Sequence, residues 1–238
     1  MASLSILKTY WQESKRLSYS FLMALPLLLV YEFETLKLNN SDIEGFRNLA
    51  DLVIKQMFAF FGIKGHLAVA FMLCLILLLV YRKEKDQQIR PGFFIFMILE
   101  SFVYAVLLAP AIEKLHHYLA LSQRVQFASC LGAGIYEEFL FRVVFFSGIF
   151  CLLCKVIKQP WLVFVLSLMS SSAAFAGFHY FGSYGEPFAL GSFIYRLLAG
   201  VLLCLLYYFR GFGIASYTHT IYNLLVLYNI DLWKIWLK

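Results

Sequence analysis

The sequence predicts an all-α membrane protein, a polytopic transmembrane helical bundle of about seven to eight spans. Of its 238 residues, 62% are hydrophobic and only 14% are charged, whereas a soluble domain is about half apolar and about a quarter charged. Its mean hydropathy is +0.77, and several apolar runs exceed the roughly 18 residues that indicate a membrane span. These spans leave no room for a second soluble core, so we expect one integrated membrane domain.

Seven apolar segments account for the predicted spans. An amphipathic segment with Lys8, Lys15 and Trp11 precedes them and is typical of an interfacial helix. Pro26 is expected to kink the first span, and the mixed-charge segment 34–56 is interpreted as a loop, with a helix possible from residue 41 onward. The spans are, in chain order, 17–33, 57–81, 92–112, 126–154, 161–179, 188–209 and 214–230.

The net charge of +6 would suggest a nucleic-acid partner if the protein were soluble. Here the basic residues lie mainly between the spans, so membrane lipid with anionic headgroups is the expected partner, and no nucleic-acid-binding pattern is found. Lys and Arg are denser in the short loops of one side, which predicts a cytoplasmic amino terminus. The size of the chain and the lack of a targeting segment predict a prokaryotic inner membrane.

Two adjacent carboxylates and a guanidinium lie inside the long apolar run 127–154. Each such group costs roughly 2.5–3.5 kcal/mol at the centre of a membrane helix. Glu138 and Arg142 are spaced i, i+4, so they share a helix face and can form an ion pair. Glu137 is rotated by about 100° from Glu138 and therefore needs a partner from elsewhere in the chain.

Two further spans each bring a polar face to the interior. His179 follows Phe175 by one helical turn at the end of one span, and Asn223 follows His219 by one turn in the last. Taken singly, each motif is equally compatible with a hydrogen bond that only ties helices together. Jointly, so much polarity in three apolar spans favours convergence in the bundle interior and a chemical role.

Other polar residues are weaker candidates. Glu100 is interpreted as a supporting or isolated buried acid, and Arg196 as a side chain that reaches the membrane interface. His116 and His117 are interpreted as solvated loop residues.

The ordered motifs E-E-x-x-x-R, F-x-x-x-H and H-x-x-x-N resemble those of the CAAX-protease and bacteriocin-processing family. These are glutamate-dependent intramembrane endopeptidases related to the Ras-converting CAAX prenyl protease. The resemblance covers about residues 122–228, which we treat as the catalytic core. Residues 1–121 form an N-terminal transmembrane region in which we find nothing diagnostic.

The resemblance implies a hydrolase in which Glu137, with His179, activates a water that attacks a peptide carbonyl. His219 and Asn223 would bind the developing oxyanion, where a well-placed donor is worth about 10²–10³ in rate. The supporting residues are Glu138, Arg142 and Phe175. The substrate would be a membrane-anchored protein or peptide, cut in CAAX-type processing, sorting-tag removal or bacteriocin and leader processing.

Two alternatives stay open. Glu137, His179 and His219 are legitimate zinc ligands, but no H-E-x-x-H motif is present, so we favour catalysis without a cofactor. The other class of function is a non-catalytic scaffold or a transporter. A transporter would be expected to show paired repeats, and none is found.

Overall fold

The computed structural model of the chain describes residues 2–39, 47–62, 74–76, 78, 80–82, 84, 88–112, 123–181, 185–228 and 230. Across these ranges the chain is helical apart from turns and short linkers, and it contains no β-strand. The all-α prediction is therefore confirmed for this part of the chain. Its helices are α1 (Ala2–Glu13), α2 (Leu17–Asn39), α3 (Leu49–Phe60), α4 (Gly92–Ile112), α5 (Gln123–Gly132), the π-helical segments π1 (Ala133–Glu137) and π2 (Phe139–Phe146), α6 (Ser147–Leu153), α7 (Pro160–Phe178), α8 (Leu190–Arg210) and α9 (Phe212–Leu227).

Five of the predicted spans coincide with helices to within a few residues, from α4 to α9. The interpretation of 34–56 as a loop is wrong in part, because α2 continues to Asn39. The helix considered possible from residue 41 onward is present as α3, which begins at Leu49. Two of the charges that suggested a solvated loop, Arg47 and Asp51, are buried and lie 2.8 Å apart. Of the span predicted at 57–81, the structure shows that α3 ends at Phe60, and most of the remainder lies outside the described residues.

Two helices of the described residues, α7 and α8, are long and apolar enough to cross a membrane. A shorter apolar segment, Gly92–Leu108, belongs to α4. The count of seven to eight spans, the cytoplasmic amino terminus and the prokaryotic membrane therefore stay predictions.

The last helix, α9, lies at the centre of the bundle, where it packs against α2, α4, α5, π1 and α8. Its buried face is made of small and polar residues such as Ala215 and Ser216, which let neighbouring helices approach closely. Only Gly211 separates α8 from α9, and its φ of +86° is a conformation that favours glycine. This tight turn places the polar face of α9 inside the bundle rather than toward lipid.

An ion pair fixes the amino-terminal helix to this core. Glu100 of α4 accepts from Arg210 of α8, with Nε to Oε1 at 2.5 Å and Nη2 to Oε2 at 2.7 Å, and it also accepts from the Tyr10 hydroxyl of α1. Glu100 is therefore neither isolated nor connected to the acidic pair. Its contacts join α1, α4 and α8, which makes its role in this fold structural.

Candidate active site

The acidic pair lies where α5 gives way to the two π-helical segments. Glu137 ends π1 and Glu138 separates it from π2. Such π-helical turns are rare and occur frequently at functional sites. Glu138 is fully buried and Glu137 is 8% exposed, so both carboxylates are removed from bulk solvent.

Two glycines let other elements approach this stretch. A Cβ on Gly132 would lie 2.7 Å from both the Asn48 Cβ and the Tyr31 ring. A Cβ on Gly134 would lie 1.8 Å from the Thr220 hydroxyl of α9. The G-x-G sequence that ends two residues before the acidic pair therefore permits close packing on two sides.

The two oxygens of Glu138 face different side chains, one in an ion pair and the other in a hydrogen bond. Its Oε2 lies 3.0 Å from Arg142 Nε, so the ion pair predicted from the i, i+4 spacing is present. Its Oε1 lies 2.8 Å from Nδ1 of His219 on α9. All three side chains are buried, and Glu138 thus joins the π-helical stretch to the central helix.

The Phe175 ring is the common neighbour of the basic groups. The Arg142 guanidinium lies 4.6 Å from the ring centroid, a cation–π contact. The His179 and His219 rings contact Phe175 edge-on, at centroid distances of 5.0 and 5.8 Å. Phe175 therefore holds three of the predicted site residues around one apolar centre.

The contacts of the two histidines define their tautomers. Nδ1 of His179 lies 2.9 Å from the Phe175 carbonyl, which can only accept, so Nδ1 donates. Nδ1 of His219 likewise faces a carboxylate that is paired with a cation. In each neutral ring Nε2 is then unprotonated and free to accept a proton. For His219 to donate to an oxyanion, its ring must carry a second proton at Nε2.

The hydrogen-bond partner of Glu137 is Asn48, which lies in the segment 34–56 that the sequence does not connect with the site. Nδ2 of Asn48 donates to Glu137 Oε1 at 3.0 Å. The other oxygen, Oε2, is buried without a hydrogen bond within the described ranges. Residues 1–121, in which the sequence indicates nothing diagnostic, thus contribute Asn48 as the hydrogen-bond partner of Glu137.

Asn48 is itself fixed by local structure. Its Oδ1 caps α3 by accepting from the Ala50 N–H at 2.8 Å, as expected of asparagine at a helix start. Its own N–H donates to the Tyr31 hydroxyl at 3.0 Å. With Oδ1 and the backbone N–H engaged, Nδ2 points to Glu137. An asparagine before a helical run was the available sequence signal, but it indicates only the cap.

A buried ion network supports this cap. Asp51 accepts from Arg47 at 2.8 Å and from the Tyr31 hydroxyl at 3.0 Å, and pairs with Lys55 at 2.8 Å. Burial alone would lower the pKa of Arg47, but the hydrogen bond to Asp51 and the nearby carboxylates outweigh it and raise this pKa. Burial lowers the pKa of Lys55, an effect that the bond to Asp51 offsets only in part. The network fixes the first turn of α3 against α2.

The remaining predicted residues are placed as follows. His179 lies at the end of α7, where its ring and that of His219 both contact Phe175. Asn223 is half-buried on α9, one turn beyond His219, and no hydrogen bond joins its side chain to another described residue. His116 and His117 lie outside the described residues.

The zinc alternative has no geometric support within the described ranges. No group of three His, Cys, Asp or Glu side chains there is close enough to hold a metal ion. Glu137, His179 and His219 therefore do not form a ligand set that fits zinc, and we derive no step through a metal. Metal independence stays a prediction.

Arg196 departs from its interpretation as an interfacial side chain. It is only 4% exposed, and its Nη2 lies 2.7 Å from Oε1 of Glu186. Its guanidinium lies 5.2 Å from the ring centroid of Tyr180. A position near the end of an apolar run is therefore compatible with burial when a loop supplies the counter-ion.

Comparison with known proteins agrees with the motifs. A family model described as "Type II CAAX prenyl endopeptidase Rce1-like" matches residues 102–225, slightly more than half of the chain. The matched range contains all three motifs. Searches of curated proteins and of solved structures give no match. From the family model, the chain belongs to the Rce1-like family of type II CAAX prenyl endopeptidases.

Proposed function

We propose that the chain is an intramembrane endopeptidase that hydrolyses a peptide bond near the terminus of a membrane-associated protein or peptide. Membership of a family of CAAX endopeptidases supports the reaction class. One observation carries the proposal for this chain. The buried Glu137 carboxylate is fixed at one oxygen by Asn48, and its other oxygen has no partner within the described residues.

A water bound between Glu137 and His179 is the nucleophile in this proposal. Oε2 of Glu137 is a free acceptor, and Nε2 of His179 is a second one because Nδ1 donates to a backbone carbonyl. Either group can take the proton as the water oxygen attacks the carbonyl carbon. General base catalysis of this kind contributes about 10²–10⁴ in rate.

The tetrahedral intermediate carries its negative charge on the former carbonyl oxygen. We assign the Asn223 amide and the doubly protonated His219 ring as donors to it, as the family resemblance implies. The intermediate collapses as the C–N bond breaks, and the proton taken from water passes to the leaving amine. The acyl group thereby receives the OH of water and the amine receives its H, and transfer of the remaining acid proton to the amine gives a carboxylate and an ammonium ion, so atoms and charge balance.

Glu138 and Arg142 are positioning residues in this proposal. Neither needs to touch the substrate, because the two oxygens of Glu138 lie against Arg142 and His219. They orient the His219 ring and tie α9 to the helix that carries Glu137. Phe175 supports both histidines from the apolar side.

The substrate classes remain those that the resemblance implies: a CAAX-type tail, a C-terminal sorting tag, or a bacteriocin or leader peptide. If the membrane is prokaryotic, a sorting tag or peptide is the more expected substrate, because protein prenylation is not the default there. Each of these substrates brings an apolar or lipid-anchored segment to the active site.

The test compares membrane proteomes of cells that produce the wild-type chain, Glu137→Gln or Glu34→Gln. Glu34 is a matched control, because it lies on α2 and, among the residues that the structure describes, forms an ion pair only with the exposed Lys37, at 3.5 Å. We expect unprocessed termini to accumulate with Glu137→Gln and not with Glu34→Gln, at equal protein levels. Identical termini with Glu137→Gln and the wild type would refute catalysis by Glu137 and favour a non-catalytic scaffold.

A further inference from the structure

Arg196 lies at the same level of the bundle as His179. Helices α7 and α8 run antiparallel, since Phe164 contacts Tyr208 at a centroid distance of 4.7 Å while Tyr180 contacts Arg196. Between these contacts, Gly200 packs against Phe175. Arg196 is one turn before Gly200, and His179 is one turn after Phe175. Both side chains therefore lie one turn further toward the same end of the helix pair.

The loop after α7 strengthens this placement. The Glu186 N–H donates to the His179 carbonyl at 3.1 Å, which fixes Glu186 beside the candidate active site. Glu186 in turn binds Arg196. The charge of Arg196 is also close enough to act on the His179 ring.

Arg196 has more hydrogen-bonding capacity than its surroundings use. Only Nη2 has a partner, the Oε1 atom of Glu186. Nε and Nη1 are buried and have no hydrogen bond within the described ranges. A buried donor left without an acceptor is costly, and more so when it belongs to a charged group. Glu186 satisfies only part of this need, because its described contact is with Nη2 alone, and its own side chain is 41% exposed.

The unused donors match a carboxylate. A guanidinium presents its N–H groups in a planar fork that binds carboxylate through two parallel hydrogen bonds. A carboxylate that displaced Glu186 could engage Nη2 together with either Nε or Nη1. Glu186 contacts the fork through one oxygen only, so the incoming group would form the stronger contact.

We propose that Arg196 binds the free C-terminal carboxylate of an apolar peptide, and that Glu186 occupies the guanidinium until the peptide displaces it. This inference rests on the endopeptidase function proposed above and names the residue that would bind the end of its substrate. The rings of Tyr180, Phe188 and Phe193 pack together beside Arg196, and Phe188 is 66% exposed. The C-terminal carboxylate of a peptide belongs to its main chain, so the apolar side chains of the peptide stay free to contact these rings.

Binding to short peptides tests the proposal without a known substrate. The purified full-length chain carrying Glu137→Gln, which should not cleave, is titrated with N-acetylated tri-leucine as the free acid and as the C-terminal amide. A third probe is the amide of the same peptide with a central glutamate, which carries a side-chain carboxylate only. Inorganic phosphate serves as a competitor that represents a lipid headgroup.

We expect the acid to bind roughly ten- to a hundredfold more tightly than the amide, as for a hydrogen bond to a charged group. Arg196→Gln should abolish this difference, and Arg196→Lys should retain only part of it because lysine lacks the fork. Glu186→Gln should tighten binding of the acid, since the competing anion is lost. Phosphate should not displace the peptide.

Four results would overturn the proposal. They are equal binding of acid and amide, no binding of the acid, equal binding of the acid and the glutamate peptide, or displacement by phosphate. The comparison of acid with amide uses intact Arg196, so it decides the matter even where Arg196→Gln fails to fold. Binding is measured without cleavage, so the result is separate from the fate of the proposed catalytic role of Glu137.

Discussion

Gly134→Ala tests the close approach on which the candidate site depends. A Cβ at this position would lie 1.8 Å from the Thr220 hydroxyl and 2.7 Å from the Ser216 carbonyl oxygen. The hydroxyl can rotate, but the carbonyl belongs to the backbone of α9. Ordinary contacts begin at 3.4 Å, so π1 and α9 must separate by about 0.7 Å to clear it.

The cost of this separation can be bounded. Inserting a methyl group into a well-packed interior typically costs about 1–3 kcal/mol. Gly148→Ala is the matched control, because Gly148 lies in α6 of the same helical stretch and a Cβ there would meet nothing within 4 Å. Replacing a helical glycine where space is available stabilises by about 0.4–1 kcal/mol. Both alanine variants share this gain, so they should differ by the packing cost alone, roughly 1–3 kcal/mol.

Thermal unfolding of the purified chain in one detergent measures the difference. Gly200→Ala should fall between the two variants, since its Cβ would lie 3.2 Å from Phe175 and Ser172. Gly134→Ala should also cleave poorly where it is folded, because separation of π1 from α9 draws Glu138 away from His219. A Gly134→Ala variant as stable as Gly148→Ala would refute the argument from close packing.

The other predictions concern the cap, the distant ion pair and metal. Asn48→Ala should lower the free energy of unfolding by about 1 kcal/mol and slow cleavage at least tenfold. Asn48→Ser should restore the helix cap and the stability but not the cleavage rate. A wild-type cleavage rate for Asn48→Ser would contradict a role of Asn48 at Glu137. Arg210→Gln should destabilise the chain by about 2–3 kcal/mol, because the partly buried Glu100 carboxylate loses its counter-ion and keeps only the hydrogen bond from Tyr10 among its described contacts to α1. Adding Glu100→Gln should recover part of this loss in unfolding measurements, and a double variant no more stable than the single one would contradict the argument. Treatment with a chelator should leave the cleavage rate unchanged, and a loss that zinc restores would establish metal dependence.

The polar residues of the three motifs could be found from the sequence because their cost does not depend on the details of the fold. A charged or imidazole side chain in an apolar span must face the interior or a partner. The spacing of Glu138 and Arg142 then fixes their ion pair locally. What unites these residues with His219 is the packing of π1 against α9, which depends on Gly134. The sequence shows this glycine but not the helix that it contacts.

Asn48 and Arg196 could not be assigned by the same reasoning. Asn48 lies 89 residues before Glu137, and an asparagine at a helix start is fully explained by capping. Arg196 lies near the end of an apolar run, where snorkelling to the interface is the common outcome. Its burial depends on a loop that returns Glu186 to the end of α7. The role of Asn48 needs a contact between elements distant in sequence, and that of Arg196 needs the path of a loop, neither of which local spacing predicts.

The two adjacent carboxylates have different contacts because the helix rotates them toward different neighbours. Glu138 faces α9, with the Arg142 guanidinium 3.0 Å from one oxygen as an ion pair and His219 hydrogen-bonded to the other. Glu137 faces the start of α3, where Asn48 binds one oxygen and leaves the second without a hydrogen bond among the described residues. A cation therefore lies beside the open oxygen of Glu138, whereas no ion pair is formed by Glu137 within the described ranges. For this reason we propose Glu137, held in place by Asn48, as the residue of the pair that accepts a proton from water.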